Sequence, residues 1–193
     1  ERGEGVYRRS CATCHGRPDG TSGAWTPGPR HGDVVPLREI GTDAERVLFR
    51  HYEKLPDLLF RSFPDKHPFH FQRERMRPLP GDETKLEIRG YVNAPIDGAF
   101  IRAPYLHNAS VLTLAELINL KPRRDVFFRG RNFYDPADVG FESPAVADAR
   151  HYFRFDAGQP GNSNRGHDYP WKFDDPSRNE DDLRALLDYL KTL

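Results

Sequence analysis

The chain has 193 residues, enough for one domain with a moderate core, and its 29 Lys plus Arg balance 29 Asp plus Glu for a formal net charge of zero. That balance argues against the long-range field of a protein that binds nucleic acid or an anionic membrane, and no apolar run approaches the roughly 18 residues of a membrane span. Only 37% of the residues are hydrophobic, and there are 17 Pro and 16 Gly, so loops abound and aliphatic core is scarce. A buried apolar cofactor would supply the missing bulk.

The opening residues Glu1, Arg2 and Glu4 carry no signal-peptide pattern, and Cys11 follows so closely that a processed mature chain or a piece of a longer protein is expected. The pattern predicts a helix over 3–14, with Val6, Tyr7 and Ser10 on one face and stop signals at Gly16 and Pro18. Thr42 and Glu45 form a capping-box pattern ahead of Val47, Leu48 and Tyr52, closed by Pro56. A second box, Thr113 with Glu116, opens a short helix carrying Leu114, Leu117 and Ile118 and limited by Pro122. Asn179, followed by Glu180, Asp181 and Asp182, caps a terminal helix over 179–193 with a stripe of Leu183, Leu186, Leu187, Leu190 and Leu193.

Between these helices the stretches 16–40, 56–81 and 156–178 read as ordered loops. Aromatic residues recur through the loops, at Trp25, Phe69, Phe71, Tyr152, Phe153, Phe155, Tyr169 and Trp171, whereas disordered segments are poor in them. The expected fold class is therefore mostly α, a single domain over 1–193 with long ordered loops wrapped around a cofactor, alone or as part of a longer protein.

The segment "CATCHG" carries the chemistry. Cys11 and Cys14 stand at the spacing for two thioether bonds to the vinyl groups of one haem, and His15 falls where it reaches the iron. A zinc site needs about four ligands, and no further Cys or suitably spaced His pair is present. A thioredoxin-like pair would follow a strand in a βαβ unit, whereas these cysteines end a helix, and a plain disulfide has no use for His15. The reading is one covalent haem c. Because attachment needs bondable cysteines outside the reducing cytosol, the expected location is periplasmic or extracellular.

The run "GYVNAPIDGAFIRAPYLHNASVLTLAELI", followed by "YDPADVGF", "GNSNRGHDYPW" and "LLDYLKTL", resembles a family of bacterial cytochrome c domains related to the di-haem cytochrome c peroxidases and the rubber oxygenases. The resemblance spans residues 86–193 plus the haem motif and implies a mostly helical cytochrome c core with elaborated loops. The chain departs from the family twice. It has one attachment motif where the di-haem enzymes have two, and Ala109 stands where relatives usually have Gly after "PYLHN".

The sixth position on the iron separates an electron carrier from an enzyme. His167, on a Gly-flanked loop, is the first candidate, since the similar block of rubber oxygenase relatives delivers a distal His. Met76, in the Pro-rich "RMRPLPG", is the second, and His107, in "RAPYLHNAS", the third; in relatives His107 resembles a pocket or propionate group. Arg102 and Tyr105 are candidates for hydrogen bonds to haem propionates, against ordinary loop anchoring. Trp25 and Trp171 either pack on haem or fill core. His31, His51, His67, His70 and His151 read as surface or hydrogen-bonded groups.

The leading functional expectation is electron transfer by a six-coordinate haem, with redox proteins and other cytochrome subunits as partners and no nucleic acid. The alternatives are a peroxidase-like enzyme acting on peroxide or dioxygen, with an open iron position and His107 as acid or base, and a haem subunit of a larger electron-transfer complex.

Overall fold

The structure, a computed structural model, describes residues 1–48, 64, 77–79, 82–87, 90–130, 132–145, 148 and 150–193. Its opening helix, α1 (Arg2–Ser10), buries Val6 and Tyr7, as the one-face pattern predicts. At Cys11 φ swings to −121°, and a single further turn, α2 (Ala12–His15), follows. The predicted helix over 3–14 is thus two helices broken at the first cysteine.

Downstream elements are short. They comprise the strands β1 (Arg17–Pro18), β2 (Trp25–Thr26) and β3 (Val34–Pro36), then the helices α3 (Leu37–Ile40) and α4 (Glu45–Leu48). Next come β4 (Arg77–Leu79), β5 (Asp82–Glu87) and β6 (Gly90–Val92), then a 3₁₀ turn over Ala99–Ile101. The chain continues through α5 (Leu114–Leu117), β7 (Val126–Arg129), β8 (Tyr134–Asp135), β9 (Gly140–Phe141), β10 (Phe153–Asp156) and the final helix α6 (Glu180–Leu190). The strands pair antiparallel and two at a time: β1 with β2, β3 with β6, β4 with β5, β7 with β10, and β8 with β9. The expectation of a mostly α fold is corrected accordingly. Short helices share the described residues with small sheets, because the Pro- and Gly-rich loops satisfy their backbone groups by local two-strand pairing.

The core forms where α1 lies on α6. Leu183, Leu186, Leu187 and Leu190 recur at helical spacing and are buried against Val6, Tyr7, Leu114, Ala115 and Ile118. Gly3 permits this crossing, since a Cβ there would meet the Ala185 carbonyl oxygen at 1.9 Å. Asn179 caps α6 by accepting the Asp182 amide at 3.0 Å, and Arg2 reaches Asp182 at 2.6 Å from the first turn of α1.

The box at Thr113 forms as predicted: its hydroxyl accepts the Glu116 amide and the Glu116 carboxylate accepts the Thr113 amide, both at 3.2 Å. The expected Thr42–Glu45 box does not. Asp43 accepts the Glu45 amide at 2.9 Å instead, and the Thr42 hydroxyl is buried without a partner among the described residues. Tyr52 and Pro56, the rest of that predicted helix, lie outside the described residues. Ala109 has φ +58°, a left-handed conformation that Gly adopts more readily. Among the described residues no helix is long and apolar enough to cross a membrane.

Candidate haem site

The cysteine turn is held at three of its carbonyls. The Arg30 amide donates to the Thr13 carbonyl at 2.9 Å, the Trp25 indole N–H to the His15 carbonyl at 2.8 Å, and the Tyr7 hydroxyl to the Gly16 carbonyl at 2.7 Å. These three donors satisfy carbonyls that a helix end leaves open. Cys11 and Cys14 sit three apart on one face of this turn, both partly buried and unbridged. Burial, with Cys14 adding a smaller effect, pushes the Cys11 thiol up to about 12.

His15 is oriented by a single bond. Its Nδ1 lies 2.8 Å from the Ala94 carbonyl oxygen, and a carbonyl only accepts, so Nδ1 carries the proton and Nε2 of the neutral ring is a free lone pair. Burial lowers the pKa of His15, partly opposed by the Ala94 bond, and keeps the ring neutral. A second-layer carbonyl that fixes the tautomer in this way is the usual arrangement behind a metal-ligating His.

Facing it is His167. The two imidazole centroids are 6.0 Å apart with their planes inclined by 49°. Two metal–nitrogen bonds of about 2 Å each, with the half-widths of two imidazole rings, also add to roughly 6 Å between centroids. The Nδ1 of His167 is buried without a hydrogen-bond partner among the described residues. Burial first, then the nearby His15 and Arg123, lower its pKa to about 4, so the ring is neutral at pH 7.

The loop that presents His167 is constrained on two sides. His167 itself has φ +53°, a left-handed conformation that costs a non-glycine residue roughly 1–3 kcal/mol unless its surroundings enforce it. Its amide donates to the Ile40 carbonyl at 2.8 Å. Gly166 packs so closely on Gly41 that a Cβ would sit 2.2 Å from the Gly41 carbonyl carbon. From the other side the buried guanidinium of Arg123 donates to the carbonyls of Asn164 at 2.5 Å, Gly166 at 2.8 Å and Leu117 at 3.1 Å.

Both histidines and both cysteines line one cavity of about 790 Å³, within the usual 300–1,000 Å³ of cofactor pockets. Its walls are largely apolar, built from Val35, Ile40, Ile96, Leu114, Ile118 and Leu190 among others. A haem fits this donor set: two thiols at one edge, two neutral imidazoles across the cavity, and apolar walls for the macrocycle.

The other predicted residues fall variously. His107 lines the cavity, stacked on Tyr91 at 4.3 Å, with its Nε2 buried and without a partner among the described residues. Tyr105 also lines it, but its hydroxyl donates to the Ala99 carbonyl at 2.9 Å. Arg102 borders the cavity, is exposed, and pairs with Asp97 at 3.0 Å. Trp25 caps the His15 carbonyl, and Trp171 packs on the main core. His31 and His151 are exposed, while Met76, His51, His67 and His70 lie outside the described residues. Sequence reasoning passed over Arg123, whose only local signal is a charged residue next to Pro122.

Residues 90–128 match the family described as RoxA-like, cytochrome c-like. Over 99% of its length the chain is 31% identical to the uncharacterized protein y4iM of Sinorhizobium fredii, covering 48% of that protein. It is 27% identical, again over 99% of its length, to the uncharacterized protein y4iJ of the same organism, covering 38% of it. The chain therefore spans less than half the length of these curated relatives. Over residues 90–128 the chain is thus similar to a RoxA-like, cytochrome c-like domain, a class that suggests haem-based redox chemistry.

Proposed function

We propose that this chain is a single-haem electron-transfer domain, with haem c attached through Cys11 and Cys14 and its iron held between His15 and His167. The observation that carries this reading is the pair of neutral imidazoles 6.0 Å apart across an apolar cavity bordered by both cysteines. When bound, haem supplies a one-electron ferric/ferrous couple. The chain's own contribution is to hold that couple still. The Ala94 carbonyl fixes the His15 tautomer, the Ile40 carbonyl and Arg123 hold the His167 loop, and apolar walls surround both rings, so the two imidazoles would be presented rigidly to such a group. The candidate propionate partners are His107, Arg102 and Tyr105, of which His107 has an uncommitted ring nitrogen.

The protein works outside the reducing cytosol and exchanges electrons with other redox proteins or cytochrome subunits, as one domain over 1–193 or within a longer chain. Absorption and electron paramagnetic resonance spectra of the native protein beside His167→Ala and Met76→Ala test the ligand assignment. Low-spin iron lost only in His167→Ala supports it, and loss only in Met76→Ala replaces His167 with Met76.

A second reading has one specific observation behind it. His107 Nε2 lies buried in the same cavity without a partner among the described residues, as an acid or base in peroxide or dioxygen chemistry would. High-spin native iron that reacts with peroxide favours that enzyme; low-spin iron inert to peroxide and carbon monoxide in both oxidation states excludes it.

A further inference from the structure

We propose that Arg123 is the positioning residue that holds His167 in its ligating pose, an inference resting on the reading of His167 as the distal ligand. Its side chain is only 10% exposed and stands between α5 and the loop that carries His167. One terminal nitrogen donates to the carbonyls of both Asn164 and Gly166, at 2.5 and 2.8 Å, gathering the backbone just before the histidine. The other donates to the Leu117 carbonyl at 3.1 Å, lies 3.5 Å from the His167 carbonyl and faces the Asp168 carboxylate at 3.5 Å. Its Nε reaches the Glu116 carbonyl at 3.3 Å.

A planar fork with five N–H donors serves this many acceptors at once; a lysine ammonium has three donors at one point. The arrangement has a clear mechanical sense. The carbonyls just before and at His167 are drawn toward α5 while its amide is tied to Ile40 on the opposite side, so the backbone is stretched across two anchors. That tension between fixed points holds a non-glycine residue at φ +53° and points its ring at His15. The neighbouring residues reinforce the clamp. Asn119 donates to the Trp171 carbonyl at 2.8 Å, and Asn164 donates to the Arg124 carbonyl at 3.0 Å, so the segment 116–124 grips the loop 164–171 along its length.

The test uses the haem-loaded protein with Arg123→Gln, Arg123→Lys, His167→Ala and the His167→Ala/Arg123→Gln double variant. Ferrous iron held by two imidazoles binds carbon monoxide only after one lets go, so the binding rate reads how firmly His167 is presented. Loss of one or two of the clamp's hydrogen bonds raises that rate about tenfold in Arg123→Gln, with a smaller rise in Arg123→Lys. A high-spin fraction appears with it, added imidazole restores the low-spin spectrum, and in the His167→Ala background Arg123→Gln changes nothing further.

Wild-type spectra and carbon monoxide rates in folded Arg123→Gln, with high-spin iron in His167→Ala, overturn the clamp and leave the ligand assignment standing. Low-spin iron in His167→Ala overturns the ligand assignment and the clamp together. Should Arg123→Gln fail to fold, Arg123→Lys decides alone, a wild-type rate in it overturning the proposal.

Discussion

The Tyr7 hydroxyl donates to the Gly16 carbonyl at 2.7 Å, tying the buried face of the first helix to the turn immediately after His15. Tyr7→Phe keeps the ring and removes the donor, leaving the buried Gly16 carbonyl without it. The expected loss is about 1–3 kcal/mol, read by chemical denaturation, with the haem spectrum unchanged because the His15 bond to Ala94 survives. A variant as stable as wild type would remove this anchor from the account.

Alkaline pH gives a second expectation. Burial raises the phenol of Tyr7 above its ordinary value and pushes Tyr91 up to about 12. The folded state therefore holds these protons longer than the unfolded chain does. Their contribution to stability is complete below pH 10 and falls as pH rises from 10 toward 12. Unfolding free energies measured across that window decline, and Tyr91→Phe flattens the decline; an equal slope in the variant contradicts the assignment.

Gly3→Ala probes the helix crossing. Its methyl would lie 1.9 Å from the Ala185 carbonyl oxygen, which belongs to helix backbone and has nowhere to yield. We expect a loss of about 1–3 kcal/mol and a lower Tm, despite alanine's better helix propensity. A gain in Tm would mean that the two helices stand further apart.

Thr113→Ala removes one half of the box that starts α5 and frees the buried Glu116 carboxylate from one of its partners. The expected cost is about 0.5–2 kcal/mol in thermal or urea unfolding. Thr42→Ala is the contrasting variant. Because the Thr42 hydroxyl caps no amide among the described residues, that substitution leaves helix stability unchanged.

What the sequence made legible was local. The four leucines from Leu183 to Leu190 mark a buried face by their spacing, and Thr113 with Glu116 declares a helix start, because each signal is complete within one or two turns; the proposed attachment at "CATCH" rests on an equally local pattern. His167 was visible as a candidate through its glycine-flanked loop, and the structure places it opposite His15. Arg123 was not visible, since the acceptors that join it to the His167 loop lie some forty positions away and are backbone carbonyls that any sequence would offer. The small sheets escaped notice for a related reason: pairs such as Pro18 with Trp25 are too short to show alternation. At Thr42 a local pattern misled, because Asp43 competes for the same amide from one residue nearer.

The pairing of α1 with α6 also orders events in time. Synthesis delivers Cys11, Cys14 and His15 well before Leu183, Leu186, Leu187 and Leu190, which cover Val6 and Tyr7. The α1 face that leads into the cysteine turn thus stays uncovered until α6 is made, and α6 closes that face when it packs there.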